Sequence, residues 1–476
     1  MRQPADLKAR RRYDPRVSKP SIVWFRDDLR IADNPALRAA VDLGVPVIGV
    51  YVLDEESDGI RPLGGAARWW LHGSLRSLAE RLAERGGRLV LRRGPAGHVV
   101  REIVADAHAG AVFWNRRYGA PEREVDTELK DGLRADGLTV ESFAASVLFE
   151  PWTVRTGAGT PFSVFTPFWR ACQGLPPPRA PLPEPRQISS PRAAIAGDDL
   201  DDWMLLPTAP DWAGGLRETW EPGEPAARSR LRTFLDEDLG SYDHSRDEPA
   251  TGSTSRLSPH LRWGEISPNT VWHETVAARG TGAHAASAAR FLSELGWRDF
   301  AWHTLFHSPE LATRNWRPEF DAFPWPRLKP TQLEAWQQGR TGVPLVDAGM
   351  RELWHTGFMH NRVRMVVGSF LVKNLLIDWR RGEQWFWDTL VDADAASNPF
   401  NWQWVAGSGA DAAPYFRVFN PELQAKKFDS HGEYIRQWAP EHLGAAEDLA
   451  PQPIVDLTET RKAALAAYEQ MRRASR

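Results

Sequence analysis

The stretch DADAASNPFNWQWVAGSGADAAPYF, residues 392–416, sets Asp392 and Asp394 ahead of Asn398, Trp402 and Trp404 in an otherwise small, apolar context. A carboxylate taken out of water must be paired or hydrogen-bonded, so a cationic or donor-rich surface is expected to face this pair. Trp402 and Trp404 are two apart, and in an extended or turning backbone they point opposite ways, one to the core and one to a pocket. HNRVRMVVGSFLVKNLLIDW, 360–379, predicts a single helix with Val363, Val366, Val367, Phe370 and Leu371 on its apolar face. The neighbouring stripe, Asn361, Arg364, Met365 and Gly368, offers an amide, a guanidinium, a soft sulfur and room for close approach.

Two further blocks carry chemistry-bearing side chains. GSTSRLSPHL, 252–261, gathers Thr254, Ser255 and Ser258 just before a helical turn, where free backbone N–H groups can hold an anion. SELGWRDFAWH, 293–303, places Glu294 and Trp297 three apart on one helix face with Arg298 beside them. By themselves the hydroxyls also fit plain N-caps, and Glu294 with Trp297 also fits a surface acid beside a core aromatic. With 23 tryptophans against seven tyrosines, most of the tryptophans are expected to do no more than pack.

Composition excludes several classes. The net charge of −3 gives no bulk signal for a polyanion partner, so DNA binding would need its cations segregated onto one face. A single cysteine, Cys172, excludes an intramolecular disulfide, a multi-cysteine zinc site and an iron–sulfur cluster. No metal site is expected. No apolar run approaches a membrane span and the start is not signal-like, so a cytoplasmic protein is expected.

The elements that must position these residues follow in chain order. Residues 1–20 read as a disordered basic lead-in. Over 21–150, SIVWF, VIGVYVLD, RLVLRR and AVFWN read as strands alternating with helices, among them DNPALRAAVDLG with Asp33 or Asn34 as its cap and Gly44 as its stop. That alternation predicts an α/β, Rossmann-like domain with a parallel sheet covered on both faces. No GxGxxG opens a helix, which disfavours a nicotinamide site. Residues 151–215 are proline-rich and read as a semi-rigid connector. Residues 216–476 read as an all-α domain, with Ser267-Pro268 opening one helix and Gly280 closing it.

TGFMHNRVRM (356–365), LVKNLLIDWR (371–380), NWQWVAGSGADAAPYFRVFNP (401–421) and GSTSRLSPHLRWGEISP (252–268) together resemble the photolyase/cryptochrome family of blue-light flavoproteins. The likeness runs from about Ser21 to about Trp438 and is greatest to bacterial cyclobutane pyrimidine dimer photolyases. It implies FAD in the helical domain, DNA carrying pyrimidine dimers as substrate, light-driven repair as the activity, and a monomer. FAD would be held by Tyr242, Thr254, Ser255, Arg256, Leu257, Ser258, Phe291, Arg298, Asn361, Arg364, Asp392, Ala393, Asp394 and Asn398, with Asn398 facing flavin N5. Some relatives have tryptophan in the place of Phe291. DNA would meet Arg246, Glu294, Trp297, Asn361, Arg362 and Trp404, and the catalytic set would be Glu294, Asn398, Trp297 and Met365. Trp402, Trp379 and Trp325 match the family's relay that brings electrons to the flavin.

The resemblance also implies a second, light-harvesting chromophore. Glu122 matches a glutamate that holds methenyltetrahydrofolate in some relatives, but Pro121, Ala312 and Thr313 depart from their pattern, and a deazaflavin or FMN stays open. Two other activities stay open: a cryptochrome-like photoreceptor and repair of the (6-4) photoproduct. Against the second, relatives that repair the (6-4) lesion carry histidine where this chain has Met365, and on a continuous helix His360 would lie about 140° from Met365.

Overall fold

The computed structural model describes residues 19–412, 416–443 and 451–474; most of the expected basic lead-in therefore lies outside the described residues. The first half of the chain is organised by five strands, β1 (Ser21–Phe25), β2 (Val47–Leu53), β3 (Leu89–Arg93), β4 (Ala111–Asn115) and β5 (Thr139–Phe143). They pair in parallel in the order β3-β2-β1-β4-β5. Every residue of β1, β2 and β4 is buried, which is why these strands read as continuous apolar runs. Alternate residues serve opposite faces: Val23, Phe25, Tyr51 and Phe113 pack with Leu37, Leu71 and Leu75, whereas Ile22, Trp24, Val50 and Trp114 pack with Val100, Ile103 and Leu129. The Pro35–Asp42 helix starts where the Asn34 side chain accepts from the Leu37 N–H at 3.0 Å, which settles its cap as Asn34. Neither β5 nor the Ala120–Ala135 helix before it was legible in the sequence. TVESF is an edge strand with exposed positions and no apolar run to announce it.

Between sheet and helices the chain runs mainly as extended, proline-broken backbone, yet it is hydrogen-bonded to what it passes: Val47 donates to Ser189 O at 2.7 Å and Asp198 to Leu91 O at 2.7 Å. It also contains a helix that its proline content did not suggest, Phe165–Gln173. Helices dominate from Gly214 to Ala474, the longest being Ala283–His307.

Two expectations are corrected here. Residues 360–379 are not one helix. Asn361–Ser369 passes into a π turn, Phe370–Asn374, Leu376 takes a left-handed φ of 52°, and a new helix, Trp379–Thr389, begins with the Asp378 side chain accepting from Arg380 N at 2.9 Å. The local cap outcompetes continuation of the apolar stripe. Conversely, Trp402 and Trp404 lie in a regular helix, Ser397–Ala406, rather than in extended or turning chain. Two helical steps are about 200°, so the two indoles still point to opposite sides. Gly382 lets this helix pack against Trp379–Thr389, because a Cβ there would sit 2.1 Å from the Trp402 ring.

Candidate active site

A cavity of about 520 Å³ opens in the helical half and is lined from five separate stretches: 242–261, 290–301, 358–368, 386–394 and 397–405. Every residue assigned above to FAD or to DNA lines it, as do Met365 and Trp402. Trp379, Trp325 and Glu122 do not.

One end suits an anion. Thr254, Ser255 and Ser258 approach it where Arg256 has a left-handed φ of 50° and the short Ser258–Arg262 helix begins. The Arg256 guanidinium lies over Trp220 at 4.8 Å and Phe358 at 5.1 Å, with no carboxylate in ion-pair contact among the described residues. Burial lowers its pKa, and the charge of Glu352 offsets this only in part. A half-buried cation without a paired carboxylate is a ready partner for a diphosphate.

In the middle, Arg364 Nη2 meets Asp392 Oδ2 at 2.8 Å, and Ser258 Oγ donates to the same oxygen at 2.6 Å. The other oxygen, Oδ1, is buried without a hydrogen-bond partner among the described residues, an orphan acceptor at the cavity wall. Asp394 has another task, since its carboxylate accepts from Ala396 N at 2.8 Å and from Ser397 Oγ at 3.0 Å and so starts the helix that carries Asn398. Asn398 Nδ2 donates to the Glu383 carbonyl at 3.0 Å and to Glu383 Oε1 at 2.9 Å. Both partners accept only, which fixes the amide with its nitrogen toward Glu383 and leaves its oxygen as the end free for the cavity. The residues present fit a flavin dinucleotide: an uncompensated cation for the phosphates, an orphan carboxylate oxygen for a ring N–H, and a fixed amide acceptor. Tyr242 and Phe291 pack edge to face at 5.5 Å beside it. Arg298 lines the cavity but spends its guanidinium on the carbonyls of Ser146 and, at 3.3 Å, Leu261.

The other end is aromatic with a charged rim. Trp297 stacks on Phe165 at 3.8 Å and 11°, so the connector's helix backs one face of the indole. Trp404 Nε1 donates to Asp411 O at 3.1 Å. Glu294 is ion-paired with Arg246, and Arg362 with Asp247 at 2.7 Å, while Arg362 Nη1 also reaches the Met365 sulfur at 3.7 Å.

Trp402 forms part of the wall, 3% exposed, against Phe386 at 4.9 Å and Trp336 at 6.1 Å. Trp379 is buried, its Nε1 donating to Asn315 Oδ1 at 2.9 Å, and Trp325 is half-buried against Phe323 at 4.4 Å. All three indoles belong to or pack on one apolar cluster. Glu122 sits in the first turn of the Ala120–Ala135 helix, in the α/β half.

The angular separation of His360 from Met365 fails, because His360 precedes the helix as its cap, and its ring lines the same cavity. Its Nδ1 accepts from Arg362 N at 3.2 Å, and burial pushes its pKa down to about 4. The cap and the burial, rather than the angle, keep it neutral and engaged at neutral pH. The sequence did not mark Phe165 and Glu383, which back the lining residues Trp297 and Asn398, or Arg61, which pairs with Glu383.

Residues 21–186 match the family model described as DNA photolyase, and residues 291–450 that described as the FAD binding domain of DNA photolyase. The chain is 50% identical over 473 residues to a deoxyribodipyrimidine photo-lyase of Agrobacterium fabrum, covering 94% of this chain and 97% of that protein. It is 39% identical to Cryptochrome-1 of Arabidopsis thaliana, covering 88% of this chain and 63% of that one. Among solved structures, a bacterial class III photolyase from Agrobacterium tumefaciens superposes with a TM-score of 0.92 at 47% identity, covering 98% of this chain and 100% of that one. Fold and site define a two-part flavoprotein, an α/β sheet joined to a helical FAD-binding half. The chain belongs to the DNA photolyase family.

One prediction follows from this geometry. The unfolded chain protonates His360 near pH 6.5 and the native chain only near 4, so between those values the unfolded state binds more protons and stability falls as pH falls. His360→Asn keeps a capping side chain that does not titrate. Between pH 7 and 4.5 it should lose less stability than the parent by about 2 kcal/mol, read from urea unfolding at the two pH values. The relay expected from the family resemblance is tested by Trp402→Phe, which should nearly abolish light-driven reduction of oxidised flavin, followed by absorption.

Proposed function

We propose that this chain repairs cyclobutane pyrimidine dimers in DNA under blue or near-UV light. The observation that carries the proposal is a single cavity lined both by flavin-suited groups, Arg256, Arg364–Asp392 and Asn398, and by Trp297, Trp404 and Met365. Cofactor and lesion would then sit in contact, as short-range electron transfer requires. When bound, reduced FAD supplies the excited electron donor that splits the cyclobutane ring and recovers its electron.

The protein's own residues bind and place. Arg246 and Arg362 hold phosphates beside the cavity mouth, and their present partners, Glu294 and Asp247, exchange with the DNA backbone. The dimer leaves the stack at less cost than a normal base because the lesion already weakens pairing. Trp297 and Trp404 form apolar walls that exclude water, and Met365 meets the far edge of the lesion. Asn361 stands at the same rim and Glu294, once freed, accepts a hydrogen bond from the damaged base. Asn398 presents an acceptor to flavin N5. Plant cryptochromes carry aspartate there, so the neutral amide favours repair over photoreception.

We divide the chain into domains at 21–150, 151–215 and 216–476. The likeness to bacterial DNA photo-lyases supports action in the cytoplasm, and we take the chain to act as a monomer. For the antenna we favour methenyltetrahydrofolate, on Glu122, over a deazaflavin or FMN, and mass spectrometry of the released chromophore tests this.

Reversing a (6-4) photoproduct also needs a proton moved between the bases. The Met365 thioether has none to give, and His360 is held neutral with Nδ1 engaged. Illuminating the reduced protein with oligonucleotides bearing each lesion, and resolving products by chromatography, should restore the cyclobutane dimer in light and not in darkness and leave the (6-4) product intact. Restoration of the (6-4) lesion, or of neither with the flavin fully reduced, contradicts the proposal.

A further inference from the structure

Asn398 is linked through Glu383 to a residue of the other half of the molecule. Its Nδ2 donates to Glu383 Oε1 at 2.9 Å, and that carboxylate, 3% exposed, is gripped at both oxygens by Arg61, Nη1 to Oε1 at 2.7 Å and Nη2 to Oε2 at 3.0 Å. Arg61 lies between β2 and the Gly65–Glu84 helix and is 322 positions from its partner. Its own place is built: the guanidinium lies 4.0 Å over the Trp387 ring, Trp387 Nε1 donates to Pro62 O at 2.9 Å, and Gly65 N donates to Asp388 Oδ1 at 2.8 Å. Gly64 permits this approach, since a Cβ there would be 2.2 Å from Trp387 O. No other cation pairs with Glu383 among the described residues.

We propose that Arg61 is a positioning residue for the Asn398 amide, acting through Glu383. The inference rests on the reading that Asn398 faces flavin N5. A two-point guanidinium–carboxylate contact fixes the plane of the carboxylate as well as its charge. That plane aims Oε1 at the Asn398 nitrogen, and the Asn398 oxygen is thereby turned to the cavity. Without Arg61 the buried carboxylate is uncompensated, and only the backbone carbonyl of Glu383, at 3.0 Å, still holds the amide. An amide that turns presents NH₂, which cannot accept from the N5–H of reduced flavin. The α/β half thus helps to set how strongly the helical half favours the reduced cofactor.

The test uses the full-length, flavin-loaded protein and follows air reoxidation of chemically reduced flavin, alongside Tm and flavin stoichiometry. Arg61→Leu should reoxidise about tenfold faster or more, the effect of losing one charge-assisted hydrogen bond. Arg61→Lys, which keeps the charge and loses the fork, should fall between, and it carries the test if the leucine variant does not fold. Asp388→Ala cuts a neighbouring contact of the same interface and should reoxidise like the parent even if its Tm falls. Arg61 variants indistinguishable from the parent, or Asp388→Ala accelerating equally, overturn the proposal. A parent protein that purifies without flavin would instead overturn the reading of the site on which it rests.

Discussion

The cavity depends on a charge taken out of water and held by groups distant in the chain. Asp392 is nearly inaccessible, and it is kept there by Arg364, 28 positions earlier, and by Ser258, 134 positions earlier. Removing Arg364 would leave a buried carboxylate with only the Ser258 hydroxyl to offset its desolvation. The pair therefore ties together the hydroxyl segment, the Asn361–Ser369 helix and the segment leading to Asn398. Arg364 Nε donates in turn to Met359 O at 2.7 Å, which fixes the turn preceding its own helix. The remaining Asp392 oxygen is the one acceptor this arrangement leaves unused.

From this constraint the division of the cavity follows. Side chains near Asp392 are committed to one another by short, directional contacts, whereas the aromatic end is held by ring packing and by ion pairs at the rim. Arg246–Glu294 and Arg362–Asp247 lie where phosphates are expected to compete for the guanidinium groups, and a rim pair is easier to exchange than a buried one. A rigid cofactor end and an exchangeable substrate end suit a protein that keeps one ligand and turns over another.

Much of this was legible in the sequence, for identifiable reasons. The α/β sheet announced itself through strands buried on both faces, such as VIGVYVL. The site residues stood out because guanidinium, amide and carboxylate groups fell at helical spacing or beside proline and glycine breaks, and because long ordered blocks matched a family. The break at Leu376 was hidden, because the apolar stripe runs on through a π turn and only Asp378 hints at a new start. The true position of His360 was hidden for a related reason, as a capping residue looks like a helical one when only spacing is read. Phe165, Glu383 and Arg61 were invisible because their roles arise from tertiary contacts. Nothing local distinguishes an arginine that reaches Glu383 from one in solvent.

The central claim is that Arg364 and Asp392 act as one unit that builds the flavin site. A double-mutant cycle on FAD affinity tests it, with Arg364→Leu, Asp392→Asn and the double variant titrated with FAD after the cofactor has been stripped. The account predicts that each single change weakens FAD strongly and that the double change costs much less than their sum, with a coupling of about 1–3 kcal/mol. Additive losses, or full affinity in either single variant, would contradict it.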